Sequence, residues 1–475
     1  MVVTTNTCFT AAGARRPLGS VTTAPAFGGP RSWLPGCWAG SLLIGMLCFV
    51  EPSSAVENDS TVAIASSPEG SGNAPNSPNA MLQRARAHGI EPALIYDSAV
   101  FSNISGGVKR APTYLDNLHL QLGIDAGKLA GADGLQFFVD VLRIHGGHPS
   151  TLVGDAQGVS NIEGPSLWTL EEAWVQQDLF AGHFSVLAGR YDLNREFYSL
   201  QSSALFLNSS FGIGPEFSQS GLQGPSIFPY TALGARFAFK PTPDIVVRTA
   251  VLDGRPVNRP GSATPVLSSR DGLLLVGEGA YLWRQSHAPT SRGTRFLIGR
   301  RSGESPYESK VAVGIWHYTT RLDDLSETTA SGAPQRHHGS TGFYTLADQL
   351  LYADAADPSR RVSAFAQLGS GDARVNRFGS YLGFGVTAAG LIRSRPNDQF
   401  GVAVASARNG SHYLARQRMA SIPTSNVETT TEFTYLAQIT PWLALQPDLQ
   451  FVRHPNTDPS IRNAWTASLR FELAF

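Results

Sequence analysis

The chain lacks three features that would assign it to common classes of protein. Beyond residue 48 it has no cysteine, because Cys8, Cys37 and Cys48 all lie near the amino terminus. It has no net charge, since Lys+Arg and Asp+Glu both number 37, so it lacks the basic surface of a nucleic-acid-binding protein and no nucleic-acid partner is expected. After residue 50 there is no run of about 18 consecutive apolar residues, so we predict no membrane-spanning helix there.

The amino terminus has the pattern of an export signal. Arginines precede an apolar segment at 33–50, and small residues (SSA) follow at 53–55. We therefore predict that residues 1–55 form a cleaved signal peptide, which would leave a chain without any thiol. An uncleaved membrane anchor at 33–50 is the alternative. Residues 56–91 are predicted to contain a Ser/Asn/Pro/Gly-rich linker and then a short helix at 80–89.

What the chain does have is alternation of apolar and polar residues. The segment 463–475 (NAWTASLRFELAF) has an apolar residue at every second position, with Arg470 and Glu472 between them. A period of two predicts a β-strand with one apolar and one polar face. A half-buried strand of a soluble sandwich shows the same alternation, but the aromatic residues at both ends of the apolar face favour a strand that crosses a membrane.

Similar segments recur along most of the chain. We predict strands at 95–102, 117–126, 135–144, 167–177, 183–191, 232–240, 244–252, 273–283, 310–318, 340–351, 361–368, 379–389, 399–407, 431–439, 443–452 and 463–475. Each such segment is a weak signal when taken alone, as membrane strands usually are.

The connections between these strands predict how they assemble. Most of them alternate between long, as at 103–116 and 192–231, and short, as at 241–243, which is the pattern of an up-and-down barrel. Counting 294–301 as another strand would make long and short loops exchange sides, so we interpret it as an insertion in a connection. The sequence thus predicts an all-β, transmembrane antiparallel β-barrel of 16 strands at 92–475, with a short periplasmic helix before it.

Seven segments also resemble one known family. They are 105–110 (SGGVKR), 160–163 (SNIE), 172–176 (EAWVQ), 189–194 (GRYDLN), 204–229 (ALFLNSSFGIGPEFSQSGLQGPSIFP), 314–324 (GIWHYTTRLDD) and 444–455 (ALQPDLQFVRHP). In this order, and over 82–475, the chain resembles the carbohydrate-selective (OprB-type) porins. The resemblance implies a Gram-negative outer-membrane channel through which glucose-type monosaccharides and small oligosaccharides diffuse passively, with no catalytic residue and no cofactor. The long leader and an insertion at 286–305 depart from the family pattern.

The connection 192–231 is predicted to set the width of the channel. It is too long to be a simple connector and is rich in aromatic residues, among them Phe206 and Phe211, with Glu216 nearby. A loop this apolar is expected to fold into the barrel and narrow its lumen. The alternative is a loop that packs against its neighbours outside the barrel.

A neutral-sugar site needs aromatic surfaces for C–H faces and charged groups that bind hydroxyls. Alternation predicts that the strand residues lining or constricting the channel are Glu172, Trp174, Gln176, Arg236, Arg248, Trp316, Arg470 and Glu472. The alternative for each is an ordinary wall residue that holds water and balances charge. Because Glu171 and Glu172 are adjacent, one of them is expected to face outwards or to lie near an interface.

Other functions and partners follow from the same pattern. A general, non-specific diffusion porin is the alternative function, and an outer-membrane enzyme is less favoured because alternation puts His119 on the lumen side. No metal site is predicted, since the His337–His338 pair has no third ligand at metal spacing. Expected partners are sugars, outer-membrane lipid and lipopolysaccharide. A terminal Phe475 resembles the end of outer-membrane proteins, which implies recognition by the barrel-assembly machinery, and a homo-oligomer is left open.

Overall fold

The computed structural model describes residues 78–256, 271–283, 307–357 and 359–475. Within these ranges sixteen strands form one closed antiparallel barrel, in which sequence neighbours pair and the first strand pairs with the last. The strands are β1 (Ile90–Gly107), β2 (Pro112–Asp125), β3 (Leu135–Gly146), β4 (Leu167–Leu179), β5 (Phe184–Tyr191), β6 (Ala232–Thr242), β7 (Ile245–Asp253), β8 (Leu273–Trp283), β9 (Ser309–Thr328), β10 (Pro334–Ala353), β11 (Arg361–Gly371), β12 (Phe378–Ala389), β13 (Gln399–Asn409), β14 (Val427–Thr440), β15 (Leu443–Arg453) and β16 (Arg462–Ala474). The predicted fold class is confirmed, because every predicted strand overlaps one of these.

Helices in the described ranges are few and short. They are α1 (Pro78–Ala87), α2 (Ala126–Ala130), α3 (Pro149–Val153), α4 (Pro215–Ser218) and α5 (Ser411–Met419), and none is long and apolar enough to cross a membrane. The helix predicted at 80–89 overlaps α1. The predicted signal peptide, most of the predicted linker and the insertion at 286–305 lie outside the described residues.

Alternation gives the barrel an apolar outer face and an inner face on which polar and aromatic side chains both lie. On β9, Val313 and Ile315 are exposed on the outside, whereas Trp316 and Tyr318, which alternate with such positions, are fully buried inside. Because the barrel is closed, no strand edge among the described residues leaves its backbone N–H and C=O groups unpaired. Such groups would find no hydrogen-bond partner in lipid. The exposed apolar residues therefore form the surface that faces lipid.

The first connection is shorter than the sequence analysis predicts. We expected a long loop at 103–116, but β1 continues to Gly107 and β2 begins at Pro112. Gly106 and Gly107 have positive φ angles of 67° and 63°, and the pairing of β1 with β16 shifts register around them. Two successive glycines usually indicate that a strand has ended. Here they form an irregular part of β1, and the pairing with β16 continues across it.

The expectation that one of Glu171 and Glu172 faces outwards is wrong. Both side chains are buried inside the barrel, with relative exposures of 3% and 0%. The β3–β4 pairing shifts register here, because Asp140 pairs with Glu172 while the next residue, Val141, pairs with Leu170. Glu171 is therefore the extra residue of a β-bulge, which allows two successive side chains to share one face.

Candidate functional site

The loop 192–231, which we call the constriction loop, fills much of the barrel interior. Five of its seven aromatic residues are almost completely buried: Phe197, Tyr198, Phe206, Phe211 and Phe217. They pack on aromatic residues of the wall, where the Phe217 ring stacks on the Trp316 ring with centroids 5.0 Å apart and the Tyr198 and Tyr344 rings lie 4.6 Å apart. The largest hydrophobic cluster of the described residues thus lies between loop and wall.

Buried carboxylates of the wall hold the backbone of the constriction loop. The backbone N–H groups of Leu207 and Asn208 donate to Glu432 on β14 over 2.6 and 2.9 Å. Elsewhere on the wall, Glu278 on β8 accepts from the N–H of Tyr198 over 2.9 Å. An irregular loop inside a barrel lacks the hydrogen bonds of a sheet, so side-chain acceptors must satisfy its amides. These contacts anchor the loop across the lumen.

The two predicted wall arginines belong to this anchoring network. Arg236 donates to Glu196 of the constriction loop over 2.8 Å and to Gln176 on β4 over 2.7 Å. Arg248 lies 3.4 Å from Glu278, and both arginines are at most 1% exposed. Arg236 thus connects loop and wall directly, and Arg248 pairs with the carboxylate that accepts the Tyr198 N–H, so both arginines help to position the constriction loop.

The predicted residues Glu172 and Trp174 lie under the start of the same loop. The Trp174 indole N–H donates to Glu172 over 2.9 Å, and Glu172 forms an ion pair with Arg195 of the constriction loop. The Arg195 guanidinium in turn lies over the Phe138 ring at 4.7 Å from its centroid. These side chains therefore fix the first turn of the loop.

A second loop, 147–166, also folds inwards. The N–H groups of Ala156 and Gln157 donate to Glu428 on β14 over 2.9 and 3.0 Å. The N–H of Asn161 donates to the Leu207 carbonyl of the constriction loop over 2.7 Å. We call this segment the support loop, because it joins the wall at Glu428 to the constriction loop at Leu207.

A cavity of about 440 Å³, lined by both polar and apolar side chains, remains between the two loops and the wall. Of the predicted site residues, the structure brings Phe206, Arg470 and Glu472 together at this cavity. The others are buried between loop and wall, away from the lining of this cavity: Glu172, Trp174, Gln176, Phe211, Glu216, Arg236, Arg248 and Trp316. Alternation identifies inward-facing residues but does not show which of them a loop covers.

Comparison with known proteins identifies the family. Residues 109–475 match the family described as carbohydrate-selective porin, OprB family. The chain belongs to the OprB family of porins. It is 24% identical over 420 residues to Porin B of Pseudomonas aeruginosa, a match that covers 82% of this chain and 88% of that protein.

Solved structures of an OprB porin share the fold. The high-pH structure of Pseudomonas putida OprB has a TM-score of 0.72 at 20% identity and covers 84% of this chain and 97% of the other. The low-pH structure of the same protein has a TM-score of 0.52 at 16% identity, over 84% and 96%. The family and the closed barrel make this chain a porin of the Gram-negative outer membrane.

The cavity is also lined by residues outside the predicted set of site residues. They include Asp97, Asn117, His119, Gln157, Asn161, Asp192 and Arg195. Arg470 donates to Asn161 over 2.6 Å and to Ser160 over 3.1 Å, which connects β16 to the support loop. The support loop contains no Phe, Tyr or Trp, so its composition does not predict a place inside the barrel. Its length and the SNIE segment are the signals that could have indicated one.

Burial in this porin changes the protonation of loop carboxylates. Burial raises the pKa of Glu216 to about 7, although nearby backbone N–H groups and the Tyr198 hydroxyl act in the opposite direction. Burial raises the pKa of Asp192 to about 6 against the attraction of Arg195. Burial, reinforced by Glu428 and Glu163, raises the pKa of Asp155 well above its ordinary value. The loops thus carry less negative charge near neutral pH than their composition suggests.

Proposed function

We propose that glucose-type monosaccharides and small oligosaccharides cross this porin by passive diffusion through the cavity between the constriction and support loops. The observation that carries the proposal is the lining of that cavity. It offers a guanidinium and a carboxylate from β16, Arg470 and Glu472, together with amide side chains and the Phe206 ring. Such groups donate to and accept from hydroxyls, and the aromatic ring covers an apolar C–H face.

Substitution of Arg470 tests most directly whether the cavity wall contacts sugar. Arg470 lines the cavity, and among the described residues no acceptor lies within hydrogen-bonding reach of its Nε atom. We expect Arg470→Gln to weaken the block of ion current by glucose about tenfold, which corresponds to the loss of about one charge-assisted hydrogen bond. The measurement is single-channel current in a planar bilayer, titrated with glucose and maltose.

The matched control is Arg408→Gln, because Arg408 lies exposed on β13 and does not line the cavity. Unchanged sugar block in Arg470→Gln would remove Arg470 from the proposed site. Equal passage of sugars and of other neutral solutes of the same size would instead support a general diffusion porin.

The remaining expectations for this chain are proposals of the same kind. We propose that residues 1–55 are removed on export and that 56–91 form a linker and a periplasmic helix before the barrel. The exposed apolar face would contact outer-membrane lipid and lipopolysaccharide, and Phe475 would be read by the barrel-assembly machinery. The family is one of channels, and the proposal includes no catalytic step.

A further inference from the structure

We propose that His119, Asp140 and Glu171 form a site for a divalent transition-metal ion in the channel wall. The three residues lie on the neighbouring strands β2, β3 and β4, and their side chains face the barrel interior. One possible ligand atom from each residue lies within 4.8 Å of the other two. The inference does not depend on which solute the channel carries.

The distances within the group fit a shared ion. The His119 Nδ1 atom lies 3.0 Å from Asp140 Oδ2 and 3.5 Å from Glu171 Oε2. Each ligand would bond a zinc ion at about 2.0–2.2 Å, so atoms around one ion lie about 3–3.5 Å apart. Small side-chain rotations would therefore bring the three atoms onto one ion.

Glu171 supplies the independent indication of a ligand. Its side chain is 3% exposed, and within the described part of the chain no group donates a hydrogen bond to its Oε2 atom. A carboxyl buried in this way ionises only where a cation or a donor reaches it, and the nearest such group is the His119 imidazole at 3.5 Å. The β-bulge at Glu171 turns this oxygen towards His119, where an ordinary strand would have directed it to the lipid.

The charges around the group also favour a cation. The carboxylates of Glu172 and Asp192 act on Glu171 in addition to that of Asp140. The cations beside them are Arg195, which lies 3.4 Å from Asp140, and Arg190. Carboxyl groups thus outnumber guanidinium groups here, so a divalent ion could take the place of protons on this group and leave Arg195 paired with Glu172.

The ligand set indicates which metals fit. An imidazole with two carboxylates suits Zn²⁺, Co²⁺ or Ni²⁺, whereas Ca²⁺ and Mg²⁺ prefer oxygen ligands alone. His119 is the partly accessible member, with a side-chain exposure of 19%, and it lines the central cavity. An ion entering from the channel would reach His119 first and would keep water or solute in its remaining positions.

Metal binding would change conduction because His119, Asp140 and Glu171 lie beside the constriction loop. Asp140 contacts Arg195 of the constriction loop, and a bound ion would add positive charge to the cavity wall at this contact. We expect micromolar Zn²⁺ to lower the single-channel conductance for cations in KCl. The alternative role is a wall ion pair, in which a protonated His119 is held by the two carboxylates and no metal binds.

A Co²⁺ titration of the purified barrel in detergent distinguishes these roles. Co²⁺ held in a four- or five-coordinate site by these three ligands absorbs visible light more strongly than the six-coordinate aqueous ion, and Zn²⁺ should displace it. We expect His119→Ala and Glu171→Gln each to weaken Co²⁺ binding by more than about tenfold, since even outer partners of metal ligands contribute about 10- to 100-fold. Heat-modifiable migration on gels shows that each variant is folded, and Glu171→Gln tests the proposal should His119→Ala fail to fold.

The matched control is His145→Ala. His145 lies on β3 and pairs with one carboxylate, Asp116, at 3.2 Å, but belongs to no three-ligand group within the described residues. This variant should keep both the Co²⁺ absorption and the Zn²⁺ effect on conductance. Identical Co²⁺ affinity and Zn²⁺ response in wild type, His119→Ala and Glu171→Gln would overturn the metal site. Because neither readout uses a sugar, that result would leave the sugar pathway untouched.

Discussion

At the scale of single residues, the side chains predicted to bind solute fall into two groups. Some hold the constriction loop in place, and others line the cavity. Arg236 and Arg248 are enclosed by partners from loop and wall, whereas Arg470 borders the cavity. All three face the barrel interior, as their alternation with apolar neighbours predicts. The distinction between them depends on contacts with loop residues far away in sequence, such as Glu196 with Arg236, which a strand pattern does not contain.

Glu216 of α4 gives a pH dependence whose sign can be derived. Burial raises its pKa from 4.5 to about 7, so the folded protein binds this proton more tightly than the unfolded chain. The stability from this group is therefore fully present below about pH 4.5 and is lost as the pH rises through about 7. We expect the thermal midpoint of Glu216→Gln to decline less steeply than that of wild type from about pH 5 to about pH 8, because the variant keeps the other buried carboxyls, such as Asp192, but loses the contribution of Glu216.

The measurement is thermal unfolding in detergent, with Glu327→Gln as the control because Glu327 is exposed on β9. The control should decline with pH as wild type does. A wild-type midpoint that falls no more steeply than that of Glu216→Gln would show that Glu216 does not titrate in this range.

At the scale of elements, strands were predictable and inward loops only partly so. A period of two over about ten residues identifies each strand, because a membrane strand must expose one apolar face. The constriction loop was predicted to fold inwards because so many aromatic residues would not remain exposed to water. The support loop was missed, since its position depends on distant partners such as Glu428, which receives the N–H groups of Ala156 and Gln157.

Local geometry accounts for the other errors. The bulge at Glu171 and the irregular pairing at Gly106 and Gly107 each add residues to a strand without adding apolar positions. A prediction based on period two either ends the strand at such points or assigns one residue to the wrong face. At Glu171 the bulge brings an additional polar side chain inside the barrel.

The final strand carries a prediction about assembly. Phe475 exchanges backbone hydrogen bonds of 3.0 and 3.3 Å with Leu94, and its exposed ring stacks on Trp442 with centroids 5.9 Å apart. We expect Phe475→Asp to lower the yield of folded barrel far more than Phe471→Leu, which keeps an apolar residue on the same face. The measurement is the heat-modifiable fraction in outer-membrane preparations. Equal yields of folded barrel for the two variants would show that the terminal aromatic is not recognised.

At the scale of the whole molecule, a closed wall holds two inward loops whose contacts cross the lumen. Wall carboxylates on β8 and β14 anchor the constriction loop at separate points, and its aromatic residues fill the space between. The lumen narrows in this way to a cavity of mixed polar and apolar lining, which a small solute can occupy only weakly, as rapid passage requires. The central claim is that this loop sets both the width and the sugar preference of the channel.

The most direct test replaces residues 206–217 of the constriction loop by a short Gly/Ser linker and records single-channel currents with and without glucose. The replacement removes Phe206, Phe211 and Phe217 from the interior while every strand and its pairing partner remain. We predict a higher ion conductance together with a weaker block by glucose, because both the constriction and part of the cavity lining are lost. A folded variant whose conductance and glucose block equal those of wild type would contradict the claim.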